Sequence, residues 1–205
     1  MKLKVCGLST SSGVKTCIDN GVDFCGFILN YPKSHRFIEF DKAKNLLDID
    51  KGKTKFVGVL VKPSLNELEK FSKLNIDFFQ LYGDYNNKSL ENIKKKFSKK
   101  LITSIQVKKR QDIENYKLIE NSSDIILWDS SGYEKSLKWN YSWIEKIKIK
   151  GEKMIAGDIT IDKISYLSKF TDIIDVSGAL ETNKVKDINK ITHFVKNIKE
   201  INNEN

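Results

Sequence analysis

A thiol and a carboxylate each end an apolar run of the sequence, and together they could perform acid–base chemistry. Cys6 ends the run Lys2–Cys6, and Asp129 ends the run Asp124–Asp129. Partial desolvation favours the protonated form of a carboxyl group, so Asp129 is a candidate proton donor. Two plainer interpretations stay open. A free cysteine is more often a small buried side chain, and the aspartate could cap a helix or bind the following loop.

Arg36 stands out because arginine is scarce in this chain. It lies in the loop 32–37, and the chain has only one other arginine, Arg110. A surface arginine is the plainer interpretation. The neighbouring His35 is interpreted as a loop residue and His193 as a surface residue.

Eight β-rich runs recur along the chain, each followed by a helical pattern. Continuous apolar runs are typical of parallel strands that are buried on both faces. Eight units of about 26 residues suit a (βα)8 barrel, whereas a flavodoxin-like open sheet needs only about five strands. We therefore predict an α/β fold, a single-domain (βα)8 TIM barrel over residues 1–205. The predicted strands are Lys2–Cys6, Phe24–Leu29, Lys55–Val61, Phe78–Tyr82, Leu101–Val107, Asp124–Asp129, Met154–Gly157 and Ile173–Ser177.

The helices that should connect these strands differ in the strength of their apolar periodicity. The pattern is clear over residues 65–74, 90–97 and 185–198, where apolar residues recur three or four apart. It is weaker over residues 14–18, 43–47, 113–119, 143–147 and 161–167. We predict a helix at each.

A barrel places its active site where the strands end, and polar residues gather at those positions of this sequence. Loops after the seventh and eighth strands of such barrels commonly bind phosphate through backbone N–H groups. We therefore expect the segments around Gly157 and Ser177 to hold a phosphate. The candidate strand-end residues are Cys6, Asn30 with the loop to Arg36, Gln80, Tyr82, Asp84, Asp129, Ser130, Ser131, Gly157, Asp158, Asp175, Ser177 and Gly178.

Composition excludes several other classes of protein. Lysine and arginine total 36 against 27 acidic residues, a net charge of +9, but 34 of the 36 are lysines. Sequence readout of DNA favours arginine, so we do not expect nucleic acid as a partner. Three cysteines and two histidines offer little for a disulfide framework or a metal site. No secretory leader and no apolar run of about eighteen residues occurs, so we expect a cytoplasmic protein without membrane contact.

Several segments, in this order, resemble the phosphoribosylanthranilate isomerase family, and the resemblance covers nearly the whole chain. They include Lys4-Val5-Cys6-Gly7-Leu8, the stretch from Gly26 through Pro32 to Arg36, Val57-Gly58-Val59 and Gln80-Leu81-Tyr82-Gly83-Asp84. The resemblance continues through Leu127-Trp128-Asp129 to Trp139, Ala156-Gly157, and Asp175-Val176-Ser177 through Glu181 to Lys186-Asp187.

The resemblance implies an Amadori rearrangement of N-(5-phosphoribosyl)anthranilate in tryptophan biosynthesis. By matching position, Asp129 would be the general acid that opens the furanose ring. Cys6, as thiolate, would be the general base that removes the C2′ proton. Arg36 would bind the anthranilate carboxylate, and the loops after strands seven and eight would bind the phosphate. The family uses no cofactor, and we expect a small-molecule substrate and a monomer.

The chain departs from the family pattern at three positions. Tyr82 stands where the family usually has histidine, and Asp158 stands where it has a second glycine. After the eighth strand, Ser177, Gly178 and Ala179 replace two serines and a glycine. A divergent member with a shifted substrate, another sugar-phosphate barrel enzyme and a non-catalytic basic binding protein are the alternatives. The last predicts that Cys6→Ala and Asp129→Ala leave partner binding unchanged.

Overall fold

Eight parallel strands close into a barrel in which each strand pairs with the next and β8 pairs with β1. The computed structural model describes residues 1–130 and 137–204, with the backbone alone at residue 204. The predicted barrel is confirmed. The strands are β1 Lys2–Cys6, β2 Phe24–Ile28, β3 Lys55–Val61, β4 Phe78–Tyr82, β5 Lys100–Gln106, β6 Ile125–Asp129, β7 Glu152–Ile155 and β8 Ile173–Val176.

The two faces of the strands build two apolar clusters. One fills the interior of the barrel and includes Val57, Ile102 and Leu127. The other lies between the barrel and the helices and includes Leu3 and Val5. Because successive strand residues point to opposite faces, every second residue faces the barrel interior. Those near the carboxyl ends of the strands lie at the mouth of the barrel.

Among the residues that the structure describes, six α-helices and several 3-10 helices cover the barrel. The α-helices are α1 Ser11–Asp19, α2 Phe40–Leu47, α3 Leu65–Ser72, α4 Asn87–Phe97, α5 Ile164–Leu167 and α6 Ile188–Glu204. Helix α3 begins at a capping box in which Ser64 and Glu67 satisfy each other's backbone N–H groups. Helix α6 buries the stripe Ile191, Phe194, Val195 and Ile198.

Two segments that connect strands are wound more tightly than the α-helices that periodicity predicts there. Residues Arg110–Leu118 after β5 and Tyr141–Ile144 after β6 form 3-10 helices. Residues Ile161–Lys163 also form a 3-10 turn, which leads into α5. Apolar spacing of three or four residues fits both helix types, so periodicity alone does not separate them.

The last helix begins later than its apolar pattern predicts. Val185 lies in β10 Val185–Lys186, which pairs antiparallel with β9 Glu181–Thr182, and it is half exposed. The helix begins at Ile188 because the Asp187 carboxylate accepts from the backbone N–H groups of Asn189 and Lys190, at 2.9 and 3.2 Å. The prediction of helix over residues 185–187 was therefore wrong.

Candidate active site

A cavity of about 530 Å³ opens at the carboxyl ends of the strands and brings most of the predicted site residues together. Among the described ones, those that do not line this cavity are Asn30, Gln80, Asp84 and Ser130, and Gln80 is fully buried. Ser131 lies outside the described residues. The predicted residues that line the cavity are Cys6, Arg36, Tyr82, Asp129, Gly157, Asp158, Asp175, Ser177 and Gly178.

Cys6 is the last residue of β1, and its thiol lies close to the ammonium of Lys4. A Cβ atom on Gly26 of β2 would lie 2.9 Å from Cys6 Sγ and 3.1 Å from Lys4 Nζ, so the missing side chain leaves room for both groups. Burial raises the pKa of the Cys6 thiol; Lys4 opposes that shift and Asp175 adds to it. The net direction is upward, which favours a thiol over a thiolate in the absence of substrate.

Lys4 and Asp175 form a buried ion pair at the base of the cavity. The two residues are direct partners across β1 and β8, and Lys4 Nζ donates to Asp175 Oδ2 at 2.8 Å. Lys4 is fully buried, and the other carboxylate oxygen of Asp175 has no hydrogen-bond partner within the described parts of the chain. Sequence reasoning found Asp175 and missed Lys4. The available signal was the strand period of two, which puts Lys4 on the same face as Cys6.

Asp129 ends β6 and accepts a hydrogen bond from a neighbouring tyrosine. Tyr82 Oη donates to Asp129 Oδ2 at 2.7 Å, and Gln80 Nε2 donates to Tyr82 Oη at 3.1 Å. Burial raises the pKa of Tyr82, and the Asp129 carboxylate raises it further, so the phenol stays protonated. The structure thus gives Gln80 a place beneath Tyr82, and its direct contact with a substrate stays a prediction.

Arg36 lies at the wall of the cavity and is held by a carboxylate that sequence reasoning did not single out. Arg36 Nε donates to Glu181 Oε1 at 2.5 Å and Nη2 donates to Oε2 at 3.0 Å. Lys186 and His35 bind the same carboxylate. Burial opposes ionisation of Glu181, but Arg36, whose hydrogen bond is foremost, and Lys186 lower its pKa to about 2. One side of the guanidinium is therefore occupied, and a substrate carboxylate would meet the end formed by its two Nη atoms.

The loop after β7 turns the Asp158 carboxylate toward a lysine. Asp158 Oδ2 lies 2.7 Å from Lys163 Nζ, and its backbone has a φ of 49°, in the left-handed region that aspartate tolerates. Gly157 has a φ of 96°, and a Cβ there would lie 2.6 Å from Ser130 Oγ, so both conformation and space require glycine. The Tyr141 hydroxyl donates to the Gly157 carbonyl and fixes this loop from below.

The loop after β8 is joined to the first strand. Ser177 Oγ donates to the backbone carbonyl of Cys6 at 2.9 Å, and Lys186 Nζ donates to Ser177 Oγ at 3.3 Å. The candidate base and the expected phosphate loop are therefore in direct contact. Over residues 1–130 and 137–204, no three His, Cys, Asp or Glu side chains group as metal ligands.

Comparisons with known proteins agree with this geometry. The model of the N-(5'-phosphoribosyl)anthranilate isomerase family matches residues 3–197. A protein of that name from Streptococcus mutans is 33% identical over 201 residues, which are 97% of this chain and 98% of that protein. The chain belongs to this family. It is therefore an enzyme, and the resemblance drawn from its motifs is confirmed.

Two solved structures of phosphoribosylanthranilate isomerases share the fold. A dimeric enzyme from Thermotoga maritima, solved as monomers, superposes with a TM-score of 0.81 at 20% identity, over 98% of this chain and 99% of that one. A second, in complex with reduced 1-(o-carboxyphenylamino)-1-deoxyribulose 5-phosphate, has a TM-score of 0.80 at 23% identity and the same coverage. At these identities the likeness concerns the fold. No helix among the described residues is both long and apolar enough to cross a membrane.

Proposed function

We propose that this isomerase converts N-(5-phosphoribosyl)anthranilate to 1-(2-carboxyphenylamino)-1-deoxyribulose 5-phosphate in tryptophan biosynthesis, with Asp129 as general acid and Cys6 as general base. The observation that carries the proposal is that a carboxyl group and a thiol, from strands far apart in the sequence, line one cavity of about 530 Å³. That volume is within the range of about 300–1,000 Å³ typical of small-molecule sites.

The proposed reaction has two proton transfers in sequence. Asp129 protonates the furanose ring oxygen, and the C1′–oxygen bond breaks as the nitrogen lone pair forms a Schiff base. Cys6 then removes the proton on C2′, and the electrons of that bond move into the C1′–C2′ bond while the iminium nitrogen is neutralised. The enolamine tautomerises to the ketone. The steps need one acid and one base on different sides of the sugar, which strand ends on different parts of a barrel mouth supply.

The substrate's two anionic groups match different parts of the cavity. We place the anthranilate carboxylate at the outer end of Arg36, whose other side is held by Glu181. We place the phosphate at the loops that contain Gly157 and Ser177, with contacts from Asp158 and Gly178 through the backbone. Asp158 tolerates this position because its carboxylate is paired with Lys163.

Turnover is measured by the loss of anthranilate fluorescence when the protein meets freshly made phosphoribosylanthranilate. Wild type should turn over, and Cys6→Ser and Asp129→Asn should each lose at least about a hundredfold in kcat. Cys17→Ser is the matched control, because Cys17 is a buried thiol that does not line the cavity, and it should keep kcat. Turnover that survives in both variants would remove the acid–base assignment.

A shifted substrate is the second candidate, and Tyr82 and Asp158 are the observations that favour it. If folded wild type turns over no phosphoribosylanthranilate, Tyr82→His and Asp158→Gly are the first reversions to test. We expect the enzyme to work alone on a small molecule in the cytoplasm, without cofactor or nucleic acid. Its three free cysteines suit a reducing compartment.

A further inference from the structure

We propose that Lys4 is a positioning residue for Cys6, whose buried ammonium, held between Asp175 and the thiol, sets how readily Cys6 gives up its proton. This inference rests on the proposed function, in which Cys6 must act as a base. Neither the motifs nor the family relationship assigns a role to Lys4.

The first argument is the energetic cost of the arrangement. Lys4 is fully buried in the barrel interior, and its ion pair with Asp175 is buried as well. Well-packed apolar residues of similar volume are often as stable as a buried ion pair, or more so. Stability therefore does not explain why a lysine occupies a position that Val57, Ile102 and Leu127 fill on other strands.

The second argument is the placement of the ammonium. Lys4 Nζ and Cys6 Sγ both lie about 3 Å from the point above Gly26 where a side chain would begin. Lys4 also hydrogen-bonds to Cys6, and this contact raises the pKa of Lys4 and lowers the pKa of the Cys6 thiol. A cation in contact with sulfur stabilises the thiolate, whereas the Asp175 carboxylate destabilises it. The two partners of one ion pair thus act on Cys6 in opposite directions.

Besides Lys4 and Asp175, the titratable groups that face Cys6 come from three further strands. They are Cys25 on β2, Tyr82 on β4 and Lys186 on β10. The variants at Lys4 and Asp175 leave these three groups unchanged.

Three variants separate the two effects. Lys4→Met removes the cation and should slow alkylation of Cys6 by iodoacetamide at neutral pH by at least about tenfold. Asp175→Asn removes the anion and should speed it. Because Lys4→Met leaves Asp175 buried without its cation and could fail to fold, the double variant Lys4→Met/Asp175→Asn provides the decisive comparison. It should react at least about tenfold more slowly than Asp175→Asn alone.

The readout is the alkylation rate as a function of pH on the full chain without substrate, followed by the pH profile of kcat/KM. Both profiles should move to higher pH when Lys4 is removed and to lower pH when Asp175 is neutralised. Cys6→Ser should take up no label, because Cys17 and Cys25 are fully buried. Lys2→Met, two residues earlier and paired with Glu152 at the surface, should change neither profile.

Equal alkylation profiles for Asp175→Asn and the double variant would overturn the inference. Because alkylation needs no turnover, this failure is distinct from failure of the proposed function, which retained turnover in Cys6→Ser would show.

Discussion

At the scale of single residues, the hydroxyl of Tyr82 contacts Asp129, the proposed general acid, and the family pattern does not predict this contact. The family usually has histidine there, but this chain presents a phenol 2.7 Å from Asp129 Oδ2. Because its pKa is raised by burial and by Asp129, the phenol donates over the whole working pH range. Tyr82 therefore fixes the direction in which the carboxyl group faces the cavity.

Tyr82→Phe should lower kcat/KM by up to about tenfold, since a hydrogen bond to the protonated carboxyl group that acts as the acid contributes about 0.5–1.5 kcal/mol. The ring is kept, so KM should change less than kcat. Tyr82→His should restore most of the loss by supplying a donor. Tyr166→Phe is the control, because Tyr166 is an exposed residue that packs on Phe170. Steady-state fluorescence kinetics measure all three, and an unchanged kcat in Tyr82→Phe would contradict the positioning role.

Residue types at strand ends could be predicted from the sequence, but their partners could not. Cys6 and Asp129 stand out because a polar side chain at the end of an apolar run indicates a structural or functional role. Lys4 and Glu181 find their partners, Asp175 and Arg36, through strand register and loop shape. Those contacts join residues more than a hundred positions apart, and local spacing carries no information about them.

At the scale of elements, the loop after β7 compensates for an acidic residue at the expected phosphate site. The Asp158 carboxylate is paired with Lys163, near the start of the helical segment that follows. Because the pairing holds the negative charge at Lys163, we expect the backbone N–H groups of this loop to remain available to a phosphate.

Lys163→Met should release the Asp158 carboxylate and raise KM for the substrate by about fivefold, a magnitude typical of an exposed to half-buried ion pair. Asp158→Gly should leave KM near or below the wild-type value. The double variant Lys163→Met/Asp158→Gly should behave like Asp158→Gly, because Lys163 then has no carboxylate to hold. Steady-state kinetics give KM for the two single variants and the double variant. If the effects of the two changes on KM add, Lys163 does not act through the Asp158 carboxylate.

Glu181 links the hairpin of β9 and β10 to the loop after β2 through its ion pair with Arg36. Because this pair needs an ionised carboxylate, the free energy of unfolding should depend on pH. The pKa of Glu181 is lowered to about 2 from an ordinary 4.5, so the ionised form stabilises the fold. That contribution is present in full above pH 4.5 and is lost as the pH falls toward 2.

Glu181→Gln should lower the free energy of unfolding near neutral pH by about 1–3 kcal/mol, since Arg36 and Lys186 lose their shared anion. The difference from wild type should narrow as the pH falls below 4.5. Urea unfolding at several pH values measures it. Glu200→Gln is the matched control, because Glu200 makes only an exposed pair with Lys196 and should give no difference. A gap that stays constant with pH would contradict the assignment.

The strands could be predicted to within two residues, whereas several connecting helices could not. Continuous apolar runs are typical of strands buried on both faces, so β1, β3 and β4 match their predicted bounds. Val185 continues the apolar stripe of α6 but lies in a hairpin, because the Asp187 cap starts the helix three residues later. An apolar stripe indicates which residues share one face of a helix, whereas the capping residue determines where the helix begins.

At the scale of the whole molecule, the two ends of the described chain are joined. Strand β1 pairs with β8, helix α1 packs against α6, and the amino group of Met1 donates to Asn202 Oδ1 at 2.7 Å. Each strand of the closed barrel pairs with two neighbours, so the loss of one strand removes a partner from two others. We therefore predict one cooperative domain over residues 1–205.

Far-UV circular dichroism and tryptophan fluorescence should report the same urea midpoint, because Trp128 lies in the barrel's outer cluster and follows its global unfolding. A variant that ends before Ile188 should not fold, since it exposes the surface that α6 covers. A control that ends after Ile201 should fold and keep most of its stability. Two separate midpoints would show two units.

Two features of the surface favour a monomer, namely the scatter of its exposed apolar residues and its net charge. Across the described residues, the six large exposed apolar side chains are dispersed over six elements or loops, and only Val185 and Ile188 are near each other in sequence. Stable interfaces bury about 800 Å² on each partner, which scattered residues do not supply. A net charge of +9 also makes two copies repel. Sedimentation equilibrium should therefore give 23.6 kDa at low and high salt. A mass that doubles as salt rises would mean that charge repulsion alone separates the copies, and doubling at both would show a stable dimer.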